Sequence, residues 1–190
     1  MAETPSREKA LEAVRTLLAY IGDDPDREGL IDTPKRFLGA YDDWFKGYKE
    51  DPEALLGRTF DDVGGYNDIV IMKDIRFESH CEHHVAPMIG TAHVAYLPSD
   101  KVVGISKLAR VVDAYAKRLQ SQETLTEQIA QTIDRVLKPR GVAVIMYGEH
   151  QCISTRGINK QGVDCVTRTL LGEFKTDPAM LDQLMQLIRT

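Results

Sequence analysis

The sequence is short of several things, and each shortage excludes a class of protein. Its apolar runs, such as VAVIM at 142–146, fall far below the roughly 20 residues that a membrane-spanning helix needs. The opening MAETPSREKALEAV carries acidic residues and no apolar core, so it does not read as a secretion signal, and a cytoplasmic location is the expectation. No stretch repeats and none is of low complexity. Three cysteines make an odd set, which in a reducing compartment points to metal binding or catalysis in place of a disulfide framework. A net charge of −5 excludes a broad nucleic-acid footprint. Any anionic ligand must meet a local basic pocket. No Walker sequence is present: GINKQG at 157–162 has two spaced glycines but lacks the Lys and Ser/Thr that should follow.

What remains is an ordinary globular composition, 43% hydrophobic and 28% charged over 190 residues, enough chain to bury a core without staples. Residues 1–60 read as a helical segment. SREKALEAVRTLLAYIG places Leu11, Val14, Leu17, Leu18 and Ile21 on one face, and Gly22 stops the helix. Thr33 is expected to cap a second helix opened by Pro34, whose Phe37, Tyr41, Trp44 and Phe45 form a core stripe. A turn at 61–68, DDVGGYND, marks a change of period. Strands follow at 69–77 and 90–98, helices at 106–119 and 124–138, strands at 141–150 and 163–172, and a last helix opened by Asp177 and Pro178. Thr124 and Glu127 have the spacing of a capping box. The order, α then ββααββ then α, predicts an α+β protein in which residues 61–190 form an antiparallel sheet with helices on one face.

The chemistry is concentrated in two places. ESHCEHHVAP at 78–87 holds three of the five histidines, and EHQC at 149–152 supplies His150 and Cys152, 66 residues beyond His84. Cys81 and His84 can converge across a turn, while His150 and Cys152 are expected on one face of a strand. Thiolate with imidazole selects zinc over magnesium or calcium. Spacing leaves two sets open: a closed structural site of Cys81, His84, Cys152 and another histidine, or an open site of three ligands with a place for water. The surplus imidazoles, His83 and His150, favour the open site, because they can stay free of metal and move protons near neutral pH. His93 reads as a packed strand residue, and Cys165 as a small core hydrophobe.

A second set suits a nucleotide. GISKLAR at 104–110 puts Ser106, Lys107 and Arg110 in the first turn of a helix, where free N–H groups and positive potential suit a polyphosphate. Arg156 follows the second ligand cluster. Glu123, after Gln122, is a carboxylate able to accept from guanine N1–H and the 2-amino group, which adenine does not offer together.

CEHH at 81–84, GISKLARVVDAYAKRLQSQE at 104–123, LTEQIA at 125–130, HQC at 150–152 and RG at 156–157 together resemble GTP cyclohydrolase I of the zinc-dependent type. The likeness extends from about residue 5 to 174. It implies a tunnelling fold, with subunit sheets joined edge to edge into a barrel, as a decamer of two pentamers with active sites between subunits. The reaction implied is conversion of GTP and water to 7,8-dihydroneopterin triphosphate and formate, leading to tetrahydrofolate-type pterins. By position, Cys81, His84 and Cys152 are the implied Zn2+ ligands; His83, His150 and Ser106 are the implied catalytic groups. Glu123 and Gln122 would hold guanine, and Lys107, Arg110, Arg156 and Arg36 the triphosphate. The chain departs from the family at Gly39, where a lysine is common, and at Ser121 and Thr124, where valine and arginine are usual. Two other readings share these residues: a non-catalytic zinc-stabilised purine-nucleotide module, and another tunnelling-fold enzyme acting on a pterin or deazapurine.

Overall fold

The computed structural model describes residues 3–57, 59–60, 66–99 and 101–190, so most of the turn expected at 61–68 lies outside the described residues. The chain divides into two compact units, one ending at Lys46 and the other running Gly47–Thr190.

The first unit is a pair of helices, α1 (Arg7–Tyr20) and α2 (Thr33–Trp44). Ser6 caps α1 by accepting from the Lys9 N–H, and Gly22, at φ +92°, turns the chain away from it as expected. The start of α2 differs. Thr33 is already helical and Asp32 holds the cap position. Asp32 itself has helical dihedrals, and its carboxylate pairs with Arg36 at 3.2 Å in place of the free N–H groups. The aromatic stripe is present: Tyr41 stacks on Phe37 at 4.4 Å and meets Phe45 edge-on at 5.0 Å. It is not a sealed core, and Trp44 stays 40% exposed, because two helices within this unit lack a third layer to cover the stripe.

The second unit is built on a five-stranded sheet ordered β5-β2-β3-β6-β7. Its elements are α3 (Pro52–Leu56), β1 (Thr59–Phe60), β2 (Val70–Cys81), β3 (Pro87–Leu97), β4 (Val102–Val103), α4 (Ser106–Ala116), β5 (Leu119–Gln120), α5 (Gln122–Leu137), β6 (Gly141–His150), α6 (Gln151–Ser154), β7 (Asp164–Gly172), α7 (Glu173–Thr176) and α8 (Pro178–Arg189). The fold is α+β. The four long strands pair antiparallel in the expected positions. Leu108, Val111, Val112 and Tyr115 of α4 and Leu125, Ile129, Ile133 and Leu137 of α5 recur at helical spacing. They pack on Phe77, Met88, Val94, Tyr96, Val144 and Met146 to form the main core.

Several details depart from the sequence expectation. α4 ends at Ala116, since Leu119–Gln120 leave the helix to pair in parallel with His80–Cys81. The capping box at Thr124 and Glu127 is replaced by a cap one turn earlier. Ser121 is the last extended residue, its hydroxyl accepts from the Thr124 N–H at 3.2 Å, and Glu127 instead accepts from Gln131 and Thr169. Helices also occupy both faces at one end of the sheet. Phe174 and Leu184, from α7 and α8, close a second cluster over Ile69, Ala95, Leu97 and Ala143, residues that alternate away from the main core.

Candidate functional site

The β2–β3 hairpin builds the first half of the site. β2 ends at Cys81, and the tip folds back through bonds from the Val85 N–H to the Cys81 carbonyl and from the Cys81 N–H to the Ala86 carbonyl. Val85 closes that tip at φ +53°, a left-handed conformation that costs a β-branched residue on the order of 1–3 kcal/mol. The tip thereby holds the His84 Nδ1 3.8 Å and the His83 Nδ1 3.7 Å from the Cys81 sulfur.

The second half comes from β6, whose last residue, His150, lies opposite Met88 at the start of β3. The strand expected to carry both His150 and Cys152 stops at His150. Cys152 sits on the short helix α6, which turns its thiol back toward the hairpin tip. The Ser154 hydroxyl clips this turn to the Glu149 carboxylate at 2.7 Å. Donor atoms of Cys81, His84 and Cys152 all lie within 4.8 Å of one another, and among the described residues they are the only such group.

Two sulfurs and one ring nitrogen fit a soft, tetrahedral divalent cation. With bonds of about 2.3 Å to sulfur and 2.0–2.1 Å to nitrogen, neighbouring donors stand roughly 3.5–3.8 Å apart, and the Cys81–His84 pair already does so. Burial pushes the Cys152 thiol up, the neighbouring Cys81 adds to this, and the Arg156 charge works against it. A bound cation reverses such a bias by favouring the thiolate. Arg156 is thus close enough to act electrostatically on the ligand set.

Around the triad stand acid–base groups. Burial holds the His150 imidazole below its ordinary value, while the Glu123 carboxylate pulls the other way. Glu123 lies exposed in the first turn of α5, not in the loop before it. The parallel β5 pairing and a bond from the Glu82 N–H to the Gln120 carbonyl bring this helix start to the end of β2. Gln122, expected beside a guanine edge, is buried, with its amide enclosed by Met146, Cys165, Thr167 and His150. His93 is packed, its Nδ1 accepting from the Asp74 N–H at a bulge in β2. Cys165 is only half-buried, because it lies on edge strand β7.

Ser106 and Lys107 stand apart from the triad within one chain. α4 begins near the Tyr96 end of β3, where the Val103 N–H donates to the Tyr96 hydroxyl, and it finishes near Cys81, where the Arg118 carbonyl accepts from Ser79. Ser106 and Lys107 therefore stand about 15 Å, one helix length, from the ligand end. Arg36 belongs to the first unit and pairs there with Asp32.

Comparison with known sequences decides the family: the profile of GTP cyclohydrolase I matches residues 10–189. The chain belongs to the GTP cyclohydrolase I family. It is 55% identical over 184 residues to GTP cyclohydrolase 1 of Maricaulis maris, covering 97% of this chain and 90% of that one. It is 57% identical over 185 residues to GTP cyclohydrolase 1 of Brucella anthropi, covering 97% and 87%. Among solved structures, the apo archaeosine synthase QueF-Like superposes with a TM-score of 0.46 at 22% identity over 55% of this chain and 94% of that one. GTP cyclohydrolase I is an enzyme family. Among the described residues no helix is long and apolar enough to cross a membrane.

Proposed function

We propose that this chain is a zinc-dependent, cytoplasmic GTP cyclohydrolase I that converts GTP and water to 7,8-dihydroneopterin triphosphate and formate. The observation that carries this reading is the Cys81–His84–Cys152 triad flanked by His150 and His83 in a member of this family. Cys81, His84 and Cys152 would hold Zn2+. When bound, zinc lowers the pKa of a water to about 7 and so supplies a nucleophile at neutral pH.

The chain's own residues handle everything else. C8 of guanine is a poor electrophile unless N7 gains a proton as C8 is attacked, and His150 gives that proton. Glu123 accepts from N1–H and the 2-amino group, which fixes the purine and rejects adenine. After formate leaves, the ribose must rearrange and close onto the freed amine. His83, exposed beside Cys81, and Ser106 move protons in that stage. Arg156, Lys107, Arg110 and Arg36 neutralise the triphosphate.

The separation of the start of α4 from the ligand end, about one helix length of 15 Å, supports an active site shared between subunits. The sheet edges support the same assembly. Among the described residues β7 has a neighbour on one side only and exposes Val166 (56%), and β5 covers only two residues of β2. Open edges of this kind pair with further strands, as in a tunnelling-fold barrel of two facing pentamers. Incubating the purified protein with GTP tests the activity. Formate and an oxidisable, fluorescent pterin should appear with about one zinc per chain. His150→Ala should keep the zinc yet stall early chemistry; full turnover by metal-free protein would end the proposal.

A further inference from the structure

Gln122 is buried between α5, β6 and β7, and its surroundings fix the direction of every hydrogen bond it makes. The Thr126 hydroxyl donates to the Gln122 carbonyl at 2.7 Å, so its oxygen can only accept from the Thr167 hydroxyl at 2.6 Å. The Thr167 oxygen is then left to accept from the Gln122 amide nitrogen at 3.1 Å. That nitrogen also faces the Cys165 carbonyl at 2.9 Å and the Met146 carbonyl at 3.2 Å, both acceptors only. The amide oxygen therefore has one orientation available, toward the His150 Nε2 at 2.9 Å. Gly148 makes the room: a Cβ there would stand 2.6 Å from that oxygen.

We infer that Gln122, locked by Thr126 and Thr167, is a positioning residue that holds the His150 ring with a proton on Nε2, leaving Nδ1 as the nitrogen that exchanges protons with substrate. An amide oxygen facing Nε2 accepts; it has no proton to give. The neutral ring is thus the Nε2–H tautomer, and the imidazolium keeps the same Nε2–H bond. A glutamine that touched the purine would act on binding, whereas one that sets a tautomer acts on the chemical step. The inference rests on His150 being the acid–base group proposed above.

Its test uses the full-length, zinc-loaded protein. Nitrogen-15 spectra of histidine-labelled enzyme, with the His150 signals assigned by their loss in His150→Asn, should show Nε2 protonated and Nδ1 bare. Gln122→Met, similar in shape but unable to accept that bond, should give mixed tautomers. It should also lower kcat for formate release about 10- to 100-fold, the usual cost of losing an orienting partner, with KM for GTP and zinc content unchanged. Thr167→Val should lower kcat less, and it serves as the variant if Gln122→Met does not fold. A neutral His150 ring protonated on Nδ1 and bare on Nε2 in the parent enzyme overturns the inference, as does a raised KM with kcat intact in Gln122→Met or Thr167→Val. If the parent enzyme releases no formate, the proposed reaction fails, while the spectra still decide the tautomer.

Discussion

The two ends of the sheet in the second unit are made of the same strands and differ in nearly everything else. At the Leu97–Gly141 end, Phe174 and Leu184 close an apolar cluster. There Arg140 bridges to Glu173 at 2.9 Å and its backbone N–H donates to the Leu97 carbonyl. At the Cys81–His150 end the chain turns through a left-handed valine, leaves His84 exposed and Cys152 half-buried, and gathers sulfur, imidazole and carboxylate groups. One end stabilises the sheet by burial; the other carries a strained valine and a cluster of sulfur and imidazole donors. A rigid end of this kind lets the opposite end hold its donors in place without contributing much to stability itself.

Substitutions at the two ends should therefore separate in what they abolish. Cys152→Ser removes one of the three proposed zinc donors, and we expect loss of both zinc and formate release, beyond the 10- to 100-fold cost of outer-shell changes. Metal analysis and a formate assay check this. The overall unfolding transition should persist, since the far cluster is untouched. Phe174→Ala should do the reverse, costing about 3–5 kcal/mol in denaturant unfolding while the folded protein still binds one zinc per chain. Zinc loss in folded Phe174→Ala would mean the two ends are not independent.

Much of this division was legible in the sequence. β-rich runs with helical segments between them gave the four long strands and the two packed helices, because periods of 2 and 3.6 are set by which face is buried. Grouping of Cys81, His84 and Cys152 was expected from residue type and spacing. What escaped was set by tertiary contacts. Leu119, expected to end the helix, instead joins Gln120 in pairing with His80–Cys81, and α5 is capped at Ser121. Cys152 left the strand for α6 although the alternation of β6 gave no sign of it. The burial of Gln122 had a faint signal: Gly148, in an otherwise apolar strand, marks a close approach by another group.

His93 gives the smallest and sharpest test of the contrast with His150, one strand away. Both are held below the ordinary histidine value chiefly by burial, but around His93 the Asp74 carboxylate pulls upward and Lys73 pushes down. Its Nδ1 accepts the Asp74 N–H that pins the β2 bulge, and its ring meets Tyr147 edge-on at 5.6 Å. Protonation forbids that acceptance. In the window between the lowered folded value and the ordinary one near 6.5, the unfolded chain binds a proton that the folded chain refuses. Stability therefore rises with pH through that window and is lost as pH falls. His93→Asn keeps a short acceptor and removes the titration, so it should lose about 1 kcal/mol of ring contact at pH 8. Its stability should then fall less steeply than the parent's between pH 7 and pH 5 in denaturant titrations. The slope that remains belongs to His80 and His150, which burial shifts in the same direction; identical slopes in the two proteins would assign all of it to them.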